Sequence, residues 1–140
     1  MSRRLAREKA MQILFQIDVG KNDKDFAIQS VLDEAVSLSK KDETYIYGLV
    51  NGVCYYLDEI DEHIRGFALD WDLERLANVD RNILRIAIYE MKFLNEEIPW
   101  VVSINEAVEL AKKFSTIESS KYVNGILDRF KKQLELKAGE

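Results

Sequence analysis

The chain has 140 residues, a length that suits one domain of ordinary size, and apolar residues make up 47% of it, enough to form a buried core. A single cysteine excludes an internal disulfide, and one proline with six glycines favours helices joined by short loops. No apolar stretch approaches the roughly 20 residues needed to span a bilayer, and the first apolar segment is too polar for a secretory signal. We therefore expect a soluble, cytoplasmic, helix-rich protein.

The net charge of −5 argues against a uniformly basic nucleic-acid binder, but the charge is unevenly distributed along the chain. Residues 1–9 carry three arginines and one lysine against one glutamate, a local charge of +3, so the remainder of the chain carries −8. An acidic body with one basic corner can bind RNA at that corner while the rest of its surface repels phosphate.

Apolar residues at three- and four-residue steps predict three helices in the first half of the chain. The first helix covers residues 2–18, with Ser2 as its N-cap, and the second covers residues 26–38. The third helix begins at its cap, Asp42, and runs without a break through Ile64.

Two helical segments are predicted after residue 70. A short turn over residues 73–77 is capped by Asp72, and a longer helix follows with Asp80 at its N-cap. The buried face of this longer helix is predicted to carry Ile83, Leu84, Ala87, Ile88 and Met91.

Two further helices are predicted after the loop at Pro99. Ser103 and Glu106 have the spacing of a capping box at the start of the first of these helices, in which each side chain bonds the other residue's backbone amide. That helix is predicted to end near residue 114, and the last helix to start at Ser119 or Ser120.

The absence of period-two alternation decides the fold class. The segment 99–102 is strand-like, but it is too short to support a sheet. The pattern therefore indicates an all-α fold of about seven helices. We expect one domain with two small helical bundle subdomains, an N-terminal one at about residues 1–68 and a C-terminal one at about residues 70–140.

Few side chains could support catalysis or bind a metal ion. His63 is the only histidine; it shares a helix face with Glu59, but a carboxylate-bridged metal site in a bundle would need a second such pair. Cys54 lies among apolar residues, which favours an inert thiol. No phosphate-binding glycine loop or hydrolase motif occurs. We therefore expect no enzymatic activity, no cofactor and no metal site.

Three arginines, Arg3, Arg4 and Arg7, lie at the start of the first predicted helix, and we call them the arginine corner. Arg3 and Arg7 are four residues apart and therefore share a helix face. Because cations at a helix N-terminus oppose the macrodipole, they are not explained by helix stability, which favours an external anion such as phosphate. The alternative is a solvated first turn with no ligand.

A second candidate site is the junction segment, residues 114–122, which joins the last two helices and gathers aromatics, hydroxyls and a lysine. Single-stranded RNA is commonly held by stacking on aromatic side chains, with polar groups contacting base edges. The alternative is that Phe114 and Tyr122 are core residues and the serines are helix caps.

Four segments, in order, resemble the NusB family over nearly the whole chain. They are an arginine-rich first helix, a central motif, a segment that includes Pro99 and a glycine-containing segment near the end. In this sequence they read RRLAREKAMQILFQ at 3–16, WDLERL at 71–76 with VDRNILRIAIYE at 79–90, IP at 98–99 with INEAVELAK at 104–112, and Phe114 with KYVNGILD at 121–128. Each motif is moderately specific, and their occurrence together in the family's order is strong evidence.

The resemblance implies an all-helical transcription antitermination factor that pairs with the small-subunit ribosomal protein NusE. It implies that the pair binds the single-stranded boxA element of ribosomal RNA transcripts and supports the RNA polymerase antitermination complex. Carried over by position, the RNA contacts fall on Arg3, Arg4, Arg7, Phe114, Thr116, Glu118, Lys121 and Tyr122. The partner contact falls on Asp80. Glu118 and Tyr122 stand where the family often has Asp and Phe, which preserves the charge and the ring.

Two other functional classes remain as alternatives. NusB-like domains also occur ahead of an RNA cytosine methyltransferase domain, but this sequence has no glycine-rich cofactor segment, so we expect no methyl transfer by it alone. The other alternative is a protein-interaction module or homodimer without a direct RNA role.

Overall fold

A computed structural model describes residues 3–35, 38–68 and 76–139, and in these ranges the chain forms seven α-helices and no β-strand. The helices are α1 (Arg4–Asp18), α2 (Lys24–Glu34), α3 (Lys40–Tyr55), α4 (Leu57–Phe67), α5 (Asn78–Phe93), α6 (Trp100–Phe114) and α7 (Ile117–Ala138). The predicted all-α class of about seven helices is confirmed. The predicted caps Ser2 and Asp72 and most of the predicted turn at 73–77 lie outside the described residues.

The prediction of one unbroken third helix is wrong, because this segment is divided into α3 and α4. Tyr56 leaves the helical conformation, with φ −102° and ψ 22°, and α4 begins at the next residue. The apolar pattern did not reveal the break because Val53, Ile60 and Ile64, all fully buried, continue one apolar stripe across it.

Two helices begin before the caps that the sequence predicted. The Ser39 hydroxyl accepts the backbone N–H of Asp42, whose carboxylate accepts the backbone N–H of Ser39, so α3 starts with a capping box centred on Ser39. The Thr116 hydroxyl accepts the backbone N–H of Ser119 at 2.9 Å. Thr116 therefore caps α7, and the prediction of a start at Ser119 or Ser120 is wrong.

The predicted starts of α5 and α6 are also corrected. α5 begins before Asp80, which lies buried in the first turn rather than at the N-cap. α6 begins directly after Pro99, so the predicted capping box of Ser103 and Glu106 does not form. Ser103 is instead buried within α6, and Glu106 reaches across to α1.

α5 lies at the centre of the bundle, where it packs against α1, α3, α4, α6 and α7. Its buried side chains lie on several faces, as expected for a helix enclosed by neighbours, and the largest fully buried apolar ones are Ile83, Leu84, Ile86, Ile88 and Met91. One apolar core includes residues from both halves of the chain. The predicted boundary between subdomains falls beside undescribed residues and stays a prediction. Within the described ranges, no helix combines the length and apolar character needed to cross a membrane.

A buried charged network, which we call the Asp18 network, joins the end of α1 to α5 and α4. Asp18 accepts hydrogen bonds from Arg81 at 2.6 Å, Asn82 at 3.1 Å and Arg85 at 3.1 Å, and Arg85 donates two bonds of 2.9 Å to Asp61. Burial alone would raise the pKa of Asp18, but the hydrogen bonds and charges of the arginines outweigh it and lower that pKa. The network fixes the direction of α1 across α5.

Candidate nucleic-acid interface

Two features of the N-terminal end of α1 favour an anion. Among the residues that the structure describes, no side chain caps this helix, and its first turn contains no acidic residue. The unpaired first-turn amides and the arginines Arg3 and Arg4 therefore present charge of the same sign. Such an end is suited to bind an anion.

Arg4 lies on the surface and is oriented by Glu106 of α6. Its guanidinium donates from Nε to Oε1 at 3.1 Å and from Nη2 to Oε2 at 2.8 Å. The hydrogen bonds from Arg4 lower the pKa of the Glu106 carboxyl despite its partial burial. The sequence analysis assigned Glu106 to a helix cap and missed this contact, because no local pattern signals a partner 102 residues away.

Arg7 lies in the interior, with only 4% of the residue exposed. Its Nε donates to Oε2 of Glu90 at 2.8 Å, and its Nη1 lies 3.5 Å from Oε1 of Glu106. Glu90 is 1% exposed and also accepts a hydrogen bond from the Tyr45 hydroxyl. A buried carboxylate is costly without a cation beside it, so we assign Arg7 the role of neutralising Glu90. The sequence analysis had instead grouped Arg7 with its exposed neighbours.

Arg3 is exposed and stacks on an aromatic ring. Its guanidinium carbon lies 4.4 Å from the centroid of the Tyr45 ring, within the range of a cation–π contact. Burial and the charge of Glu90 raise the pKa of Tyr45, so its hydroxyl stays protonated and keeps its bond to that carboxylate. This hydrogen bond fixes the position of the Tyr45 ring that Arg3 contacts.

The junction segment lies beside α1. Lys113, the residue before Phe114, pairs with Glu8 of α1 at 2.7 Å and sits 5.3 Å from the Phe114 ring centroid. Phe114 is half-buried at the end of α6. Three further predicted RNA-contacting residues of this segment are exposed, namely Thr116, Glu118 and Lys121. The ion pair between α1 and α6 therefore links the two candidate sites.

Tyr122 lies on α7, and Asp80 lies in the first turn of α5. Tyr122 is half-buried, its hydroxyl donates to the carbonyl oxygen of Ala68 at 3.0 Å, and burial raises its pKa, with a smaller contribution from the charge of Asp80. Asp80 is 4% exposed, and its Oδ1 accepts no hydrogen bond from the described residues. The charge of the predicted partner residue therefore acts on the predicted RNA residue.

A groove of about 530 Å³, which we call the junction groove, runs between α1, the C-terminal part of α2, the start of α5 and Phe114. Its wall on α1 carries residues that the sequence analysis did not select, namely Lys9, Met11, Gln12, Phe15 and Gln16. The helical spacing of Gln12, Phe15 and Gln16 indicates that these three residues share one helix face. That spacing alone does not distinguish a groove wall from a solvated face.

His63 has structural partners, and Cys54 is a half-buried free thiol. The ring nitrogen Nε2 of His63 lies 3.0 Å from Nζ of Lys92, which pairs with Glu59 at 3.1 Å. Burial and the charge of Lys92 lower the pKa of His63. Burial also raises the pKa of the Cys54 thiol. Within the described part of the chain, no three potential metal-ligating side chains come together.

Known proteins that are similar to this chain align with nearly its whole length. A relative from Pelotomaculum thermopropionicum, a transcription antitermination protein NusB, is 50% identical over 129 residues, which cover 92% of this chain and 88% of the relative. The Bacillus subtilis protein of the same name is 47% identical over 135 residues, covering 96% of this chain and 98% of that protein.

A solved structure agrees with these relatives. The crystal structure of antitermination factors NusB and NusE in complex with double-stranded RNA matches this fold with a TM-score of 0.85 at 28% identity, covering 95% of this chain and 99% of that chain. The model of the NusB family matches residues 4–132. Because sequence, fold and the order of the helices agree over this length, the chain belongs to the NusB family.

Proposed function

We propose that this chain is a transcription antitermination factor that binds boxA RNA of ribosomal RNA transcripts together with ribosomal protein NusE. The observation that carries the proposal is the N-terminus of α1, where Arg3 and Arg4 are exposed. Both arginines oppose the helix dipole, so an RNA phosphate at this end would be attracted by the guanidinium groups and by the helix itself. The related structure that contains NusB, NusE and RNA supports the same partners.

The RNA surface would have two parts. In the first, Arg3 and Arg4 contact phosphates, and the buried Arg7 supports them by holding Glu90 and Glu106 in place. In the second, the junction segment contacts bases. Phosphate contacts position the strand, whereas stacking and contacts to base edges select its sequence.

Within the junction segment, we assign stacking to the half-buried rings of Phe114 and Tyr122. The exposed side chains Thr116, Glu118 and Lys121 lie between them in the sequence and can donate or accept hydrogen bonds. A carboxylate such as Glu118 repels phosphate and accepts from base amino groups, so it would favour bases presented by their edges.

The partner protein would dock at the junction groove, beside the first turn of α5. Val79 and Phe15 supply apolar wall, and Lys9 and Glu34 supply charged rim, a composition typical of protein interfaces. Because Asp80 is buried, we assign it the role of shaping this turn next to Tyr122 rather than a large contact of its own. We propose a non-catalytic, cytoplasmic role within the RNA polymerase antitermination complex.

The test is a titration of boxA-like RNA with the full chain and NusE, compared with a scrambled strand. We expect the variant Arg3→Gln/Arg4→Gln to weaken boxA binding about tenfold or more and to reduce the slope of log affinity against log salt by about 1.4, or about 0.7 for each lost phosphate contact. The matched control is Lys131→Gln/Lys132→Gln, which removes two cations that pair within α7. Its binding should be unchanged.

Two results would overturn the proposal. Equal binding of boxA-like and scrambled RNA would remove the sequence-specific role, and equal effects of the two double variants would remove the arginine corner from the RNA surface. Binding of NusE without any gain in RNA affinity would favour the protein-interaction module. Sedimentation of the isolated chain would identify a homodimer.

A further inference from the structure

A second groove, which we call the α3 groove, opens beside the arginine corner and away from the junction segment. It has a volume of about 680 Å³ and lies between the start of α1, the N-terminal half of α3 and the C-terminal part of α5. The residues that matter here are Arg3, Lys40, Lys41, Tyr45, Gly48 and Tyr89. Its size falls within the range of roughly 300–1,000 Å³ typical of sites that bind small molecules or parts of larger ligands.

The α3 groove concentrates positive charge on an otherwise acidic chain. Arg3, Lys40 and Lys41 line it, against the carboxylates Asp42 and Glu97, while the whole chain carries −5. Asp42 is engaged in the capping box at the start of α3. Among the described residues, no ion pair involves any of the three cations, in contrast to Arg4, which is held by a carboxylate. Lys40 and Lys41 also oppose the dipole of α3, so helix stability does not explain them.

Aromatic groups lie beside these cations. The Tyr45 ring carries the guanidinium of Arg3, and the half-buried Tyr89 lines the opposite wall. Between them Gly48 leaves space, since a Cβ added there would meet no atom within 4 Å. Cations interleaved with aromatic or guanidinium planes are the combination that holds single-stranded nucleic acid, through phosphate contacts and base stacking.

The α3 groove is continuous with the proposed RNA surface through Arg3, which belongs to both. A smaller cleft lined by Arg3, Arg7 and Glu106 connects them. We infer that the α3 groove binds further nucleotides of the same single-stranded RNA, beyond the segment that contacts the arginine corner and the junction segment. The inference rests on the proposed RNA-binding function and extends it.

The test compares a minimal boxA-like RNA with versions that carry about four extra uridines at either end, a length within the site sizes of single-strand binders. The full chain is used together with NusE. Gly48→Glu places a carboxylate in the α3 groove, and the matched control Gly66→Glu places one on α4, where an added Cβ also meets no atom within 4 Å. Both changes alter net charge equally, and circular dichroism checks that both variants fold.

We expect one of the extended RNAs to bind about tenfold more tightly than the minimal RNA, since stacking of even one base supports a gain of this size. Gly48→Glu should abolish this gain while Gly66→Glu keeps it, with affinity for the minimal RNA unchanged in both. Lys40→Gln/Lys41→Gln should reduce the salt slope by about 1.4 for the extended RNA only. This second variant tests the groove even if Gly48→Glu does not fold.

The inference is overturned if neither extension increases affinity, or if the two glycine variants bind the extended RNA equally. Failure of the proposed function looks different, because the minimal boxA-like RNA would then show no preference over its scrambled control. A wild-type chain that selects the minimal RNA but gains nothing from an extension would retain the proposed function and exclude the α3 groove from the RNA path.

Discussion

Helix α1 has a charged network at each end, and both networks join it to α5. At its C-terminal end, Asp18 accepts hydrogen bonds from Arg81, Asn82 and Arg85. Arg85 also donates to the carboxylate of Asp61. At its N-terminal end the polarity is reversed: arginines come from α1 and the carboxylates come from α5 and α6.

The two networks differ in how far their arginine side chains are buried. In the Asp18 network both arginines are largely buried, with side-chain exposures of 11% for Arg81 and 9% for Arg85. At the arginine corner only Arg7 is enclosed, whereas 58% of the Arg4 side chain is exposed. The comparison shows that arginines of the two networks, and even Arg4 and Arg7 within α1, differ in burial, and that sequence position does not reveal this difference.

The largest effect is expected for Arg85→Met, which leaves the buried Asp61 without its bidentate partner. Breaking a buried ion pair from one side typically costs about 3–5 kcal/mol of unfolding free energy. Urea denaturation of the variant and the wild type measures this loss. A loss below about 1 kcal/mol would show that the Asp18 network is not structural.

Arg7→Met should destabilise nearly as much, by about 2–4 kcal/mol, because it leaves Glu90 buried with only the Tyr45 hydroxyl as a close partner. Its RNA affinity, measured on the folded fraction, should fall less than that of the Arg3→Gln/Arg4→Gln variant. If Arg7→Met instead lost RNA binding at full stability, Arg7 would belong with the exposed arginines and the comparison would fail.

Asp18→Asn should cost about 1–3 kcal/mol at neutral pH, since it weakens several charge-assisted hydrogen bonds. The folded state lowers the pKa of Asp18, so its stabilising contribution is present above the ordinary value of 3.8 and is lost as pH falls through the lower folded value. The variant should therefore lose less stability between neutral and acidic pH than the wild type. Parallel acid-unfolding curves would contradict this assignment.

The smallest effect on stability is expected for Arg3→Gln/Arg4→Gln. Both side chains are exposed, and surface ion pairs contribute little because water screens them. The unfolding midpoint should match that of the wild type within error, while RNA binding falls. A clear loss of stability would show that the bond between Arg4 and Glu106 is needed for the fold.

Much of the fold was predictable because helices depend on local periodicity. The five apolar residues predicted for the inner face of α5, which end in Met91, are all buried as the spacing indicated. The break at Tyr56 was not predictable, because the apolar stripe continues across it and only the non-helical backbone of Tyr56 divides the two helices. The cap at Thr116 was missed because the serines after it satisfy the same propensity.

The sequence by itself determined the helical class, the family and the cluster of arginines at the start of α1, since all three follow from residue order. Only the tertiary structure decided that Arg7 points inward to Glu90, that Glu106 orients Arg4, and that Lys40 and Tyr89 meet Arg3 around one groove. These contacts join residues far apart in the chain, and their geometry depends on how α1, α3, α5 and α6 pack. A pattern within one helix carries no information about that packing.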